Sequence, residues 1–189
     1  MAQDVLLQTA RLTMREVTPD DAYAFRDYMT EDAYWMSLPI EPPTLSSVRA
    51  FLEQCVQNRT KAPRETWFLA AVEIASQRIV GEGILDVRSW PWRQGEIGWG
   101  VDPSRAGQGL ATEIGAAMLR LAFEGLELHR VVARSRVGHA ASRRIMEKLG
   151  MREEGVLRDD VCARGAWWSS VQCSILADEW RPLVSRNGA

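Results

Sequence analysis

Cysteine and histidine are scarce in this 189-residue chain, with three of the first (Cys55, Cys162, Cys173) and two of the second. Neither forms the clustered spacing that a metal site needs, so no metal is expected. An odd number of thiols favours reduced cysteines, although Cys162 and Cys173 could face each other across a hairpin. No apolar run approaches the roughly 20 residues of a membrane span. Residues 1–8 lack the basic stretch and apolar core of an export signal, which points to a cytoplasmic protein without a membrane partner. The net charge is only −2, and lysine and arginine form no cluster, which excludes the usual footprint of a nucleic-acid binder. Repeats, low-complexity tracts and Gly/Ser/Pro linkers are also missing, so residues 1–189 are expected to form one domain around one core.

What is present is regular patterning. Residues 11–16, RLTMRE, alternate as a strand does, and Thr18-Pro19-Asp20-Asp21 is a helix start with proline at the first helical position. Ala22, Phe25, Tyr28 and Met29 follow at helical spacing. The stretch 37–43, SLPIEPP, interrupts, and Thr44 caps a second helix carrying Val48, Phe51, Leu52 and Cys55. Residues 67–74 and 78–86 read as a hairpin, SWPWRQG as a turn, and 96–101 as a further strand. A helix bearing Leu110, Ile114, Ala117, Met118 and Leu121 comes next, then a strand at 130–137 and a short helix ended by Gly150. Strands at about 154–162 and 167–176 flank a turn at Arg164-Gly165. Consecutive strands favour antiparallel pairing, while strand–helix–strand steps require parallel crossovers. The pattern predicts an α/β fold with one mixed, mostly antiparallel sheet of six to seven strands and about four helices.

The most informative segment is RAGQGLATE, 105–113, a glycine-rich turn that opens onto a helix. Unpaired backbone N–H groups and the helix dipole make such a turn an anion site, often for phosphate. The plain alternative is that Gly107 and Gly109 only permit positive φ. The phosphate loop of NTPases is excluded because Leu110 follows Gly109 where lysine is needed, and the dinucleotide fingerprint because Thr112 replaces its third small residue.

Taken with its surroundings, this turn resembles the central motif of the GCN5-related N-acetyltransferases (GNAT), in the branch of ribosomal-protein N-terminal acetyltransferases. Gly107-Gln108-Gly109-Leu110-Ala111 matches Arg/Gln-x-x-Gly-x-Gly/Ala, and TARLTMRE, DDA, GEIGWGV, ASRRIMEKLGM, EEG and ILADEW match the branch in order along nearly the whole chain. The resemblance implies a GNAT fold whose fourth and fifth strands (96–101 and 130–137) splay apart. It implies that acetyl-CoA lies in the gap, with its pyrophosphate on the amides of the turn. Val101, Arg105, Ala106, Gly107, Gln108, Gly109, Leu110, Ala111, Thr112, His139 and Ser142 are then the cofactor-binding candidates. Ala106 stands where Arg or Gln is usual, His139 where Asn is usual, and Ser169 and Cys173 where Asp and Tyr are common.

Acetyl transfer to an amine needs a neutral nucleophile, a stabilised oxyanion and a thiolate leaving group. An α-amine of pKa about 8 is roughly one-tenth neutral at pH 7, and a lysine far less, so a general base helps a lysine acceptor more. A backbone N–H near Gly100 or Val101 is the expected oxyanion donor. Glu96 is the candidate base, with a solvated strand-end carboxylate as its alternative; Asp159 and Asp160 lie in a later segment that could reach the acceptor side, and are read as surface charge. Met146 occupies the position where many relatives carry a catalytic Tyr; Ser142, one turn earlier, is the candidate acid, with a plain helix-start hydroxyl as its alternative and His139 as a residue that could share the role. Trp35, Trp90 and Trp92 are candidates for an apolar acceptor wall, the alternative being loop packing or a homodimer contact. The expected reaction is transfer of acetyl from acetyl-CoA to a primary amine of a small molecule or protein, by direct attack in a ternary complex. A non-catalytic acyl-CoA-binding domain of the same fold is the other reading.

Overall fold

The computed structural model describes residues 5–181, so the ends of the expected 1–189 domain lie outside the described residues. Eight strands form one sheet: β1 (Leu6–Gln8), β2 (Leu12–Glu16), β3 (Thr66–Glu73), β4 (Ile79–Ser89), β5 (Gln94–Val101), β6 (Arg130–Arg136), β7 (Arg152–Ala163) and β8 (Ala166–Leu176). Their spatial order is β1-β2-β3-β4-β5-β6-β8-β7. Only β5 and β6 pair in parallel; all other neighbours are antiparallel. Five helices cover the sheet: α1 (Ala22–Met29), α2 (Asp32–Trp35), α3 (Leu45–Asn58), α4 (Leu110–Arg120) and α5 (Ala140–Lys148).

The sheet exceeds the sequence expectation by one strand and the helices by one. Both additions, β1 and α2, are too short to express a period. The second crossover also differs. Helix α5 carries the chain from β6 to β7, but β8 inserts between them, so these two strands run parallel without pairing. The thiols are free, and Cys162 lies opposite Trp167 and Cys173 opposite Glu153, which removes the hairpin disulfide.

Strand β3 shows why the sheet is buried on both sides. Its TWFLAAVE run is buried without interruption from residue 67 to 72, the signature of a strand with both faces covered. Trp67, Leu69 and Ala71 meet the core under α4 and α5, while Phe68, Ala70 and Val72 meet α1 and α3. Helix α1 supplies Phe25, Tyr28 and Met29 to the second core. Helix α3 begins at Thr44, whose hydroxyl accepts from the Ser47 N–H at 3.2 Å, and it buries Val48, Leu52 and Cys55. Gly83 lets α4 approach β4 closely, because a Cβ there would sit 2.6 Å from the Met118 sulfur.

The feature that makes a site is the failure of β5 and β6 to stay paired. Their register runs only from Gln94↔Arg130 to Glu96↔Val132. Strand β5 continues to Val101 along β4, so residues 97–101 present an open edge.

Candidate active site

An open cleft of roughly 1300 Å³ fills the divergence between β5 and β6. At one end lies the glycine turn. Gly107 and Gly109 have φ of +76° and +79°. A side chain at Gly107 would meet nothing within 4 Å, so it is the left-handed backbone, not crowding, that requires glycine. Among the described residues, the N–H groups of 107–112 donate to no protein acceptor. They and the N-terminus of α4 form an electropositive end wall.

The turn is braced from the β1–β2 connection and from β3. The Arg11 guanidinium donates to the Gln108 carbonyl at 2.9 Å. Glu113, in the first turn of α4, accepts from the Arg11 N–H at 2.8 Å and the Thr9 hydroxyl at 2.6 Å. Arg105 pairs with Glu73 on β3 and holds that carboxyl down at about 2. Its Nε also donates to the Gln108 side chain at 3.2 Å.

Most of the residues nominated from sequence converge on this cleft. Val101, residues 105–107 and 109–112, His139, Ser142 and Glu96 all line it, whereas Gln108 is turned toward Arg11 and Arg105. The Asp102 N–H donates to Val80 on β4 at 3.0 Å. Because N–H groups alternate sides along a strand, those of Trp99 and Val101 point to the open edge. His139 immediately precedes α5, and burial lowers its pKa, so the ring is neutral near pH 7. Ser142 faces the cleft one turn in, while Met146 packs at 0% exposure in the core. Arg144 and Lys148 supply positive charge along the same helix.

Where β5 and β6 part, the cleft carries carboxylates and arginines. Glu96 accepts from Arg88 at 2.9 Å and lies 3.6 Å from Arg134. Asp160, read as surface charge, lines the cleft 3.7 Å from Arg134, and among the described residues its oxygens have no hydrogen-bond partner. Arg164, from the β7–β8 turn, donates to the carbonyls of Leu38 at 2.9 Å and Met36 at 3.0 Å. Its guanidinium lies 4.5 Å from the Trp168 ring and 5.3 Å from that of Trp35. This single side chain ties the α2–α3 segment to the last hairpin.

The tryptophans nominated as an acceptor wall do not line the cleft. Trp90 packs edge-on against Trp67 at 6.3 Å, and Trp92 is 73% exposed. The turn that holds them joins β4 to β5 at the end where β5 and β6 are still paired, away from the splay. Trp35 sits beside the cleft under Arg164. Met29, Val48, Phe51, Phe68, Ile84 and Trp168 form the apolar lining instead.

One residue in the wall received no role from the sequence. Glu82 on β4 is 5% exposed and accepts hydrogen bonds from the hydroxyls of Tyr28 and Tyr34. The available signal was a carboxylate between two glycines in an apolar strand, VGEGIL.

The family model for the GNAT acetyltransferase domain matches residues 11–152. The chain belongs to the GNAT acetyltransferase family. It is 27% identical over 174 residues to the uncharacterized N-acetyltransferase YnaD of Bacillus subtilis, covering 92% of this chain and 98% of that protein. It is 23% identical over 185 residues to the ribosomal protein uS5-alanine N-acetyltransferase of Escherichia coli, covering 94% of each. Among solved structures, RimJ of Mycobacterium smegmatis in complex with CoA-disulfide superimposes with a TM-score of 0.80 at 24% identity, over 93% of this chain and 88% of that one. The fold and branch implied by the sequence motifs are those found, and N-acetyl transfer is the activity of the family. No helix among the described residues is long and apolar enough to cross a membrane.

Proposed function

We infer that this acetyltransferase binds acetyl-CoA in the β5–β6 cleft and acetylates a primary amine, an N-terminal α-amine of a protein being the leading class of acceptor. The observation that carries the reading is the row of unpaired N–H groups at 107–112 set at the end of a free strand edge. The pyrophosphate rests on that row, with Arg144 and Lys148 adding charge, and the pantetheine amides pair with the open edge of β5. A protein acceptor follows the branch of the relatives, and a cytoplasmic site of action goes with it.

In this arrangement the acceptor nitrogen attacks the thioester carbon from the α1–α3 side. The N–H of Val101 faces the developing oxyanion, where a fixed donor is more effective than water because it needs no reorganisation. Ser142 stands on the α5 side of the gap to donate a hydrogen bond to the departing thiolate. Glu96, held by Arg88 and Arg134, orders the acceptor side at the point where the strands part. Positioning within the cleft supplies the larger part of the acceleration.

Calorimetric titration of acetyl-CoA into the folded protein, with ATP and NAD as controls, tests the cofactor site. Micromolar binding of acetyl-CoA alone, weakened at least 30-fold by Gly109→Trp, is expected. A folded protein that binds no acetyl-CoA would return the glycines to plain turn geometry. Release of CoA thiol in the presence of amines and amino-terminal peptides then reads turnover.

A further inference from the structure

Among the described residues two carboxylates are buried, Glu16 and Glu82, and only Glu82 lines the cleft. Glu16 is paired with Arg64 at 2.9 Å and Arg59 at 3.1 Å. Among the described residues, Glu82 has no cation within ion-pair distance; its partners are the hydroxyls of Tyr28 from α1 and Tyr34 from α2. An acceptor-facing carboxylate taken out of water without a counter-charge is unfavourable unless a cation arrives. Its position is set by the sheet. Glu82 lies directly opposite Gly100, and a Cβ at residue 100 would fall 1.8 Å from a Glu82 oxygen. The missing side chain on β5 therefore lets the carboxylate lie across the backbone of the free strand, one residue from Val101. Ile84 is the next residue on the same face of β4, and Phe68 is its partner on β3. The surroundings of the carboxylate are apolar on that side.

We propose that Glu82, cradled by Tyr28 and Tyr34, is the receptor for the acceptor's ammonium group and takes its proton, which selects protonated primary amines with an apolar group beside the amine-bearing carbon, such as the side chain of an apolar N-terminal residue. The proposal rests on the acetyltransferase reading for the second half of the step. The arriving R–NH3+ transfers one proton to the Glu82 carboxylate and becomes R–NH2. The nitrogen lone pair then forms the C–N bond at the thioester carbon, and collapse breaks the C–S bond. The second nitrogen proton ends on the CoA thiolate, and the proton on Glu82 leaves to solvent with the product. The titratable groups facing Glu82 are the two tyrosines, with Asp102 beyond the end of β5 acting on Tyr28.

The test measures binding of benzylamine and its neutral isostere, benzyl alcohol, to the full chain with CoA present and with CoA omitted. It also measures initial rates of benzylamine acetylation against pH. Expected is binding of benzylamine but not of the alcohol, weakened at least tenfold by Glu82→Gln, while acetyl-CoA affinity stays within twofold. The variant's kcat/KM falls at least 30-fold at pH 7, and the gap narrows as pH rises and the amine deprotonates unaided. Tyr34→Phe removes a hydrogen bond from the ionised carboxylate, so the acid limb of the kcat/KM profile moves to higher pH; this arm decides if Glu82→Gln fails to fold. Equal benzylamine affinity in Glu82→Gln, an unmoved limb in Tyr34→Phe, or a wild type that binds acetyl-CoA but no benzylamine would overturn the proposal. Absence of acetyl-CoA binding would instead overturn the cofactor reading, and the CoA-free amine isotherms would still decide Glu82.

Discussion

Glu16 and Glu82 are buried to nearly the same degree, at 7% and 5% exposure, yet they are partnered in opposite ways. Glu16 closes the end of β2 and is held by two guanidiniums, from Arg59 and Arg64. Glu82 faces the cleft and is held by two phenols. A cationic partner compensates a buried charge and fixes it in place. A phenol solvates the charge but leaves it uncompensated, and burial pushes the Glu82 carboxyl above the usual range. The first arrangement belongs to structure, and the second leaves a carboxylate free to change its protonation state.

The comparison breaks most sharply at Glu16. Glu16→Ala removes the carboxylate shared by two guanidiniums whose side chains are only 17% and 11% exposed. Removing one member of a buried ion pair destabilises by about 3–5 kcal/mol, so the denaturation midpoint should drop markedly. Acetyl-CoA affinity of the remaining folded fraction should not change, because no contact of Glu16 reaches the cleft. A variant as stable as the wild type would show that the arginines are solvated without it.

Glu82→Gln sharpens the other side through stability instead of rate. The folded-state pKa of Glu82 is raised, so its stability contribution is fully present below the unfolded value of about 4.3. That contribution is lost as pH rises through the higher folded value, because the folded state resists giving up the proton. Wild type should therefore lose stability relative to Glu82→Gln as pH rises from about 4 upward. Thermal midpoints of the two proteins across this range check the sign. A constant difference between them would mean that Glu82 titrates alike in both states.

How much of this could be read from the sequence follows the same division. Period and punctuation carried the fold: the apolar stripe of α4, the Thr44 cap and the glycine turn are local signals, and the structure places them where the pattern does. Elements of three or four residues, β1 and α2, have no room for a period. The insertion of β8 between β6 and β7 depends on long-range pairing that no local pattern encodes. At the site, the turn residues were legible because positive φ selects glycine. Trp90 and Trp92 fall outside the cleft because the 89–93 turn that carries them lies at the closed end of the splay, and which end of a strand pair opens is not written in the local sequence. Glu82 stayed hidden because its meaning comes from Tyr28 and Tyr34, 54 and 48 residues away in sequence.

The smallest effect is expected at a third carboxylate that fits neither pattern. Glu154 on β7 pairs with Arg130 on β6 across the intervening β8, where Ser174 donates to it at 2.8 Å and Gln172 at 3.0 Å. These contacts hold its carboxyl down at about 2. A depressed folded pKa contributes stability that is present above the unfolded value of about 4.3 and is lost as pH falls toward 2. The side chain is 34% exposed, so solvent screens much of the attraction, and an ion pair of this kind contributes about 0.2–1 kcal/mol. Arg130→Met should flatten the wild-type loss of stability between pH 4.5 and 2 by about that amount, and added salt should mimic the substitution. If instead the slope persists unchanged in Arg130→Met, the hydroxyl and amide of β8 hold the carboxylate by themselves. Partner charge would then matter less at this surface than it does for Glu16 in the interior.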